Sequence, residues 1–540
     1  MRGRGLALTA LCLAAFIINL DTTIVNVALP TLVRQTGATT TQLQWVVDAY
    51  NLVFAALVLV AGSLSDRYGR KGMLLVGLGM FGAASLAGAL CSTADQLIAA
   101  RAVMGLGAAL IFPATLSLIS NIFPERGDRA KAIGLWGATT GVGIAMGPIF
   151  GGWLLEHYWW GSIFVFLIPF AILTAGLVAV SVPPSRNPAT PTIDWQGFVL
   201  STAGMGLLVL GVIQAPDWGW TSGSSLLTLV AGVLVLSMFF WVERRKDSPM
   251  LDVSLFTNPR FTGASGAVTI SFFALFGFIF LVTQYFQFVK VFTPFGTGVR
   301  LLPVAASVGL SSLLGTRLAV RIGNKIVVGS GLVFFGVALL WISTSSQFTT
   351  YWVIAVQMVV LGTGMGLTSA PATEAIMGAV SKEKAGIGSA VNDATRLFGG
   401  TLGVAVIGSV AASLYASRLT SSLPAGLPSP ALVAAKGSVG GAAVASQRLS
   451  QAGLGHLAQR LQDGATQAFL HSFAGGCRVA GAVALGGAVF AAILLPARPT
   501  ALAPPPDPDA DPGSLAPSFG YRAVTDAAAP PAGSVSSTGA

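Results

Sequence analysis

The sequence predicts an all-α integral membrane protein with fourteen transmembrane helices, and three observations carry that reading. Of 540 residues, 54% are hydrophobic and only 9% charged, against roughly 25% charged in an ordinary soluble protein. Apolar runs long enough to cross a bilayer recur from end to end. The bases collect in alternate loops, as membrane orientation requires. The 66 glycines fit helices that pack closely in lipid.

With a window of about 20 apolar residues, the spans fall at 6–29, 43–62, 73–92, 97–120, 131–154, 162–182, 197–214, 225–242, 263–283, 299–318, 326–344, 351–371, 386–413 and 475–496. The first run follows Arg2 and Arg4, as a signal peptide would. It is too long for one, carries Asn19, Asp21 and Asn26, and lacks a small-x-small cleavage site, so it is read as a retained helix. The fifth ends in an aromatic belt, Glu156-His157-Tyr158-Trp159-Trp160. Residues 414–474 form a long outer loop in which 442–470 reads either as one amphipathic helix on the outer surface or as a partly ordered connector. The segment 497–540, with its run PPPDPDADPG, reads as a disordered tail.

With the N-terminus inside, the short outer loops carry only Arg34, Lys290 and Arg300, while the inner loops carry clusters such as Arg67, Arg70 and Lys71. Both termini are therefore expected in the cytoplasm, and the chain in the cytoplasmic membrane as a multi-pass protein. The net charge of +10 reflects these loops; no basic stripe or nucleic-acid motif appears, so no nucleic-acid partner is expected. Cys12, Cys91 and Cys477 make neither a CxxC motif nor an even set and read as inert helix residues. No metal-ligand spacing is present, and His157, His456 and His471 all map outside.

A faint internal repeat organises the chain. Arg67-x-Gly69-x-Lys71 recurs as Arg321-x-Gly323-x-Lys325, and Pro113-Ala114-Thr115 as Pro371-Ala372-Thr373, at closely similar offsets. The domains expected are a six-helix bundle over 1–182, an inserted pair over 183–250, a second bundle over 251–496, and the tail.

Ionisable groups at membrane depth mark function. Asn19, Asp21, Thr22, Thr23 and Asn26 make a polar stripe on the first helix that must face protein or water. Counting about 1.5 Å per residue, Asp21 lies roughly 12 Å and Asp48 roughly 7 Å below the outer surface, a setting suited to reversible proton binding. Arg101 is the base in the outer half of the first six spans, expected to pair with Asp21 or Asp48, either as a static bridge or as one made and released during a cycle. Gly137-x-x-x-Gly141 and Gly147-Pro148-x-x-Gly151-Gly152 on the fifth span favour close packing and a bend. Asp393 and Arg396, three apart on the thirteenth span, are expected to pair as a structural or gating couple. Asn26, Asn51, Trp136 and Gln284 are candidate substrate contacts.

These residues carry a resemblance. Gly62-Ser63-Leu64-Ser65-Asp66-Arg67-Tyr68-Gly69-Arg70-Lys71 is similar to the signature loop of the major facilitator superfamily. Leu20 to Pro30 resembles the first-helix motif of its fourteen-helix drug:proton antiporter branch. Arg101 with Gly105 and Gly107, Gly143 to Gly152, and Ser389 to Asp393 with Arg396 resemble further motifs of that branch. The resemblance implies a major facilitator fold, a proton-coupling centre containing Asp21 and Arg101, and a latch in which Asp66 and the bases around it tie the second and eleventh helices in the outward-open state. An acid at the Asp48 position occurs in members of that branch that export cationic drugs. The second copy of the loop departs from the pattern, with Val320 for the acid and Asn324 for a base.

The expected function is proton-driven export of amphipathic organic compounds by alternating access, by a monomer in the bilayer with no cofactor. No GxxxxGK[ST] motif suggests ATP. A dedicated exporter of one metabolite or self-made antibiotic shares every motif; a membrane receptor or integral enzyme is the other alternative.

Overall fold

In the computed structural model the described residues are 2–186, 194–246, 249–380, 385–423 and 426–496. The tail 497–540, and the inner-loop bases Lys382 and Lys384, lie outside them. All the regular structure described is helical, and fourteen helices are long and apolar enough to cross a membrane.

The first six are α1 (Arg2–Thr36), α2 (Thr40–Tyr68), α3 (Arg70–Ala89), α4 (Ala94–Ile122), α5 (Arg126–His157) and α6 (Ser162–Ser181). The inserted pair is α7 (Trp195–Trp218) and α8 (Gly223–Glu243). The second bundle begins with α9 (Pro259–Gln284), extended by a π-turn over Tyr285–Val289. Next come α10 (Pro294–Arg300), which continues into α11 (Leu302–Ile322), then α12 (Asn324–Ile342), α13 (Tyr351–Gly378) and α14 (Ala385–Thr420). Two outer helices, α15 (Ser429–Gly437) and α16 (Val439–Gln451), lead into α17 (Gly455–Leu494). Two six-helix bundles thus flank an inserted hairpin.

Small residues decide which helices touch. A Cβ on Gly143 would fall 2.8 Å from Phe16 O, and one on Gly151 2.7 Å from Ile24 Cγ1, so α1 and α5 pack backbone to backbone. Gly105 does the same between α4 and α2, where its Cβ would meet Tyr50 O at 2.5 Å. The turn Tyr68-Gly69-Arg70 ends α2 and starts α3 on one residue, Gly69, at φ +114°. Its repeat partner Gly323 joins α11 to α12 at φ +91°. An L side chain rarely adopts that backbone conformation, which is why glycine stands at both.

The long outer loop is neither a single surface helix nor a partly ordered connector. It forms α15 and α16, breaks at Gly453 (φ +79°), and resumes in α17 twenty residues before the last span was expected to begin. The apolar face of 442–470 is the cause: Ala442, Ala445, Leu449, Leu461, Ala465 and Phe469 are buried against the bundle instead of lying in the interface. Tyr415 donates to Ala435 O at 2.9 Å, and Thr40 to Gly437 O at 3.1 Å, so the loop spans from the second bundle to the first. The three cysteines are free.

Candidate functional site

Between the two bundles lies a cavity of about 630 Å³, within the range of small-molecule sites. Its walls are mostly apolar, with polar groups in two places. The first bundle contributes Asn19, Thr22, Thr23 and Asn26 of α1 and Asn51 of α2; the second contributes Ser369 of α13 and Asp393 and Arg396 of α14. Apart from Asp21, the helical stripe expected on the first span is this wall, so Asn19, Thr22, Thr23 and Asn26 face a cavity and not lipid.

The cavity is shut on the outer side. A Cβ on Gly152 would lie 2.6 Å from Phe295 Cα, and Gly298 sits against the Pro148 carbonyl, so α5 and α10 touch through backbone. Gln287 on the π-turn donates to Val27 O at 2.9 Å, and Arg34 donates to Gln287 O at 3.3 Å. Toward the cytoplasm the lining continues to Gly137 and Gly141 on α5, whose Cβ positions meet open space.

Behind the polar stripe, Arg101 Nη1 donates to Asp21 Oδ2 at 2.6 Å, with side-chain exposures of 1% and 0%. Arg101 Nε donates to Val46 O at 3.1 Å, and its guanidinium lies 4.2 Å above the Tyr50 ring. Three helices converge on this one cation, while Asp21 Oδ1 has no hydrogen-bond partner among the described residues.

Asp48 does not join them. Val46 and Tyr50 face Arg101, and Asp48, two residues from each, projects from the opposite side of α2. It is 0% exposed, and neither oxygen has a hydrogen-bond partner among the described residues. The sequence places the two acids at similar depth on neighbouring helices; because Asp48 projects from the side of α2 away from Arg101, no described contact joins the two acids. Asp48 shares its face with Gln44, whose amide donates to Val404 O, Ala405 O and Ser409 Oγ of α14.

Asn26 and Asn51 line the cavity, while Trp136 and Gln284 do not. Trp136 stands behind Phe112, with ring centroids 5.1 Å apart, and donates to Thr115 at 3.1 Å. Gln284, the last residue of α9 before the π-turn, turns its amide back to Phe280 O at 3.1 Å. Asp393 and Arg396 both reach the cavity but form no ion pair with each other among the described residues. Arg396 donates to Thr373 at 3.0 Å and lies 5.4 Å from the centre of the Phe272 ring.

The latch residues are gathered within the first bundle. Asp66 Oδ1 accepts from Arg70 Nε at 2.6 Å, Arg70 reaches Ser185 at 3.2 Å, and Lys71 donates to Ala179 O at 2.7 Å. Arg67 lies against the neighbouring Tyr68 ring, and Gly62 is 3.8 Å, measured from a built Cβ, from Pro113. The expected tie from α2 to the eleventh span is not among the described contacts, as fits an arrangement closed outside. Sequence reasoning missed Thr41, Gln44 and Asp217; the three-four-three spacing of Thr41, Gln44, Asp48 and Asn51 could have found the first two, while only the fold brings Asp217 of α7 to Thr41.

Two six-helix bundles around a cavity closed at one end, with charges buried beside it, define a membrane transporter of the alternating-access class. The chain belongs to the Major Facilitator Superfamily, whose model matches residues 11–404. It is 36% identical to the multidrug resistance protein Stp of Mycobacterium tuberculosis over 79% of this chain and 80% of that one. It is 35% identical to the methylenomycin A resistance protein of Streptomyces coelicolor, over 75% and 85%. Its fold matches that of a bacterial homologue of the human lysosomal transporter Spinster, with TM-score 0.62 at 17% identity, covering 92% and 98% of the two chains. It is a multi-pass protein of the cell membrane.

Proposed function

We propose that this protein exports amphipathic organic compounds, drugs and antibiotics among them, in exchange for protons entering from outside. The observation that carries the reading is the buried Asp21–Arg101 pair directly behind the polar wall of a largely apolar cavity. An apolar cavity with a few polar anchors suits varied amphipathic molecules. A buried ion pair that also touches α2 couples charge to helix position, since protonating Asp21 would release Arg101.

In this reading Asp21, Arg101 and Asp48 are the coupling groups, Asn26 and Asn51 touch substrate, and Trp136 braces the aromatic wall. Gln287 holds the outer gate, and Gln284 packs behind it within α9. Gly143, Gly147, Pro148 and Gly151 let α5 rock against α1. Asp66 with its bases closes the inner side in the opposite state, and Asp393 with Arg396 gates the inner half. The working unit is a monomer needing no cofactor, driven by the proton gradient.

The test is drug uptake into proteoliposomes against a pH gradient. Loss of uptake in Asp21→Asn and in Asp48→Asn supports the reading; unchanged uptake in both ends it. A dedicated exporter of one antibiotic is the second reading, favoured by the likeness to a methylenomycin A resistance protein. A resistance panel in an efflux-deficient host separates the two by the breadth of compounds tolerated.

A further inference from the structure

Thr41, Gln44, Asp48 and Asn51 stand on one face of α2, a file about 15 Å long. At its outer end Thr41 donates to Asp217 of α7 at 2.9 Å, and both line a small polar cavity of about 100 Å³ near the outer surface. Lys436 of α15 and Tyr415 of α14 close that cavity. At its inner end Asn51 lines the central cavity.

Between those ends the unpaired atoms are all acceptors: Gln44 Oε1, both Asp48 oxygens and Asn51 Oδ1. Buried acceptors without donors are costly and favour protons or donor-bearing water. The surroundings are otherwise apolar, with Val209 and Ile213 of α7, Ala405 of α14, and Trp45 and Leu52 of α2 in one cluster. The charged and titratable groups facing the file are Asp217 from α7, Lys436 from α15 and Tyr415 from α14. Arg101 is screened behind Tyr50 on the far side of α2. Asp393 and Arg396 lie further along α14, in the central cavity.

We infer that protons reach Asp48 from outside along this face of α2, through an inlet formed by Asp217 and Thr41, and not through the central cavity. The inference rests on the reading of Asp48 as a coupling acid. A hydronium at the inlet gives its proton to the Asp217 carboxylate. That proton passes by way of the Thr41 hydroxyl and water held at Gln44 Oε1 to an Asp48 oxygen. Asp217 returns to a carboxylate and Asp48 becomes the neutral acid. Gln44 is the gate, a positioning residue, because its amide clamps α2 to α14 by three donor contacts. Asp48 lines neither cavity, so the two are not joined through it in this state. Parting the outer ends of α2 and α14 would break the clamp and open the upper half. The inserted helix α7 thereby supplies a wall and an acid to the proton path.

The experiment uses the full chain in proteoliposomes, an internal pH dye and ethidium as the probe substrate, with ethidium-coupled proton flux recorded against outside pH. Asp217→Asn should slow the flux roughly tenfold near outside pH 7. It should recover in part as the outside is acidified, with ethidium binding unchanged, and Asp217→Glu should restore the normal profile. Thr41→Val, a near-isosteric change, should move the profile in the same direction. Asp48→Asn should abolish coupled flux at every pH. If Asp217→Asn and Thr41→Val keep the normal profile while Asp48→Asn abolishes it, the inlet is overturned and the coupling role of Asp48 stands. Normal flux in Asp48→Asn would overturn the coupling role and the inlet together.

Discussion

Arg101 Nη1 lies 2.6 Å from Asp21 Oδ2, with no more than 1% of either side chain exposed. Removing one member of such a pair strands the other charge, so the two substitutions have unequal effects. Arg101→Ala leaves a buried acid without its base and should cost about 3–5 kcal/mol of stability. Asp21→Asn keeps a hydrogen-bond acceptor for the guanidinium and should fold better while losing coupling. Thermal unfolding in detergent, paired with proton-driven uptake, checks both.

Gly298 against Pro148 and Gly152 against Phe295 set how closely the outer ends meet. Leucine at Gly298 has no space there, and the strain falls on the outer-closed state alone. Gly298→Leu should therefore shift the population toward the outside-open arrangement. Spin-label distances between the outer ends of α5 and α10 would lengthen; an unchanged distribution would count against this closure.

Gly69 carries φ +114° between two helices. Gly69→Val forces a β-branched side chain into that region and should destabilise by about 1–3 kcal/mol. Gly323→Val, at φ +91°, should cost a similar amount. Comparable drops in unfolding temperature would show that the repeat is conformational as well as textual.

Asp194 caps α7, accepting from Gly197 N at 2.7 Å and from Lys246, and so clasps the inner ends of the inserted pair. Burial works to raise its pKa. Hydrogen bonds from Glu243, Lys246 and Gly197, with the Lys246 charge, outweigh it and hold the carboxyl below its ordinary 3.8. A depressed value stabilises above the unfolded pKa and is lost as pH falls through the folded one. The clasp should hold at about pH 5–6 and fail below about pH 4. The stability difference between wild type and Lys246→Met, followed against pH, should be flat in the first range and shrink in the second.

Fourteen spans, their orientation and the family were legible because lipid imposes a long apolar run on every crossing and rewards bases on one side. The Asp21–Arg101 pair was legible in part. A lone base at membrane depth must find an acid, yet spacing along the chain could not choose between Asp21 and Asp48. Gln284 and Trp136 were misplaced relative to the cavity for local reasons, a side chain bonded back to its own helix in one case and a layer of aromatic packing in the other. The outer loop stayed open between two readings because an amphipathic pattern says that a face is buried without saying in what.

The sequence alone determined what each helix must do: cross the membrane, point its bases inward, and shield its polar stripe from lipid. Only the tertiary structure decided which polar groups meet. That depends on how each helix is rotated about its axis, which small residues such as Gly105, Gly143 and Gly298 settle through close backbone contact. By that rotation of α2, Tyr50 and Val46 meet Arg101, while Asp48 is left facing α7 and α14 without a partner.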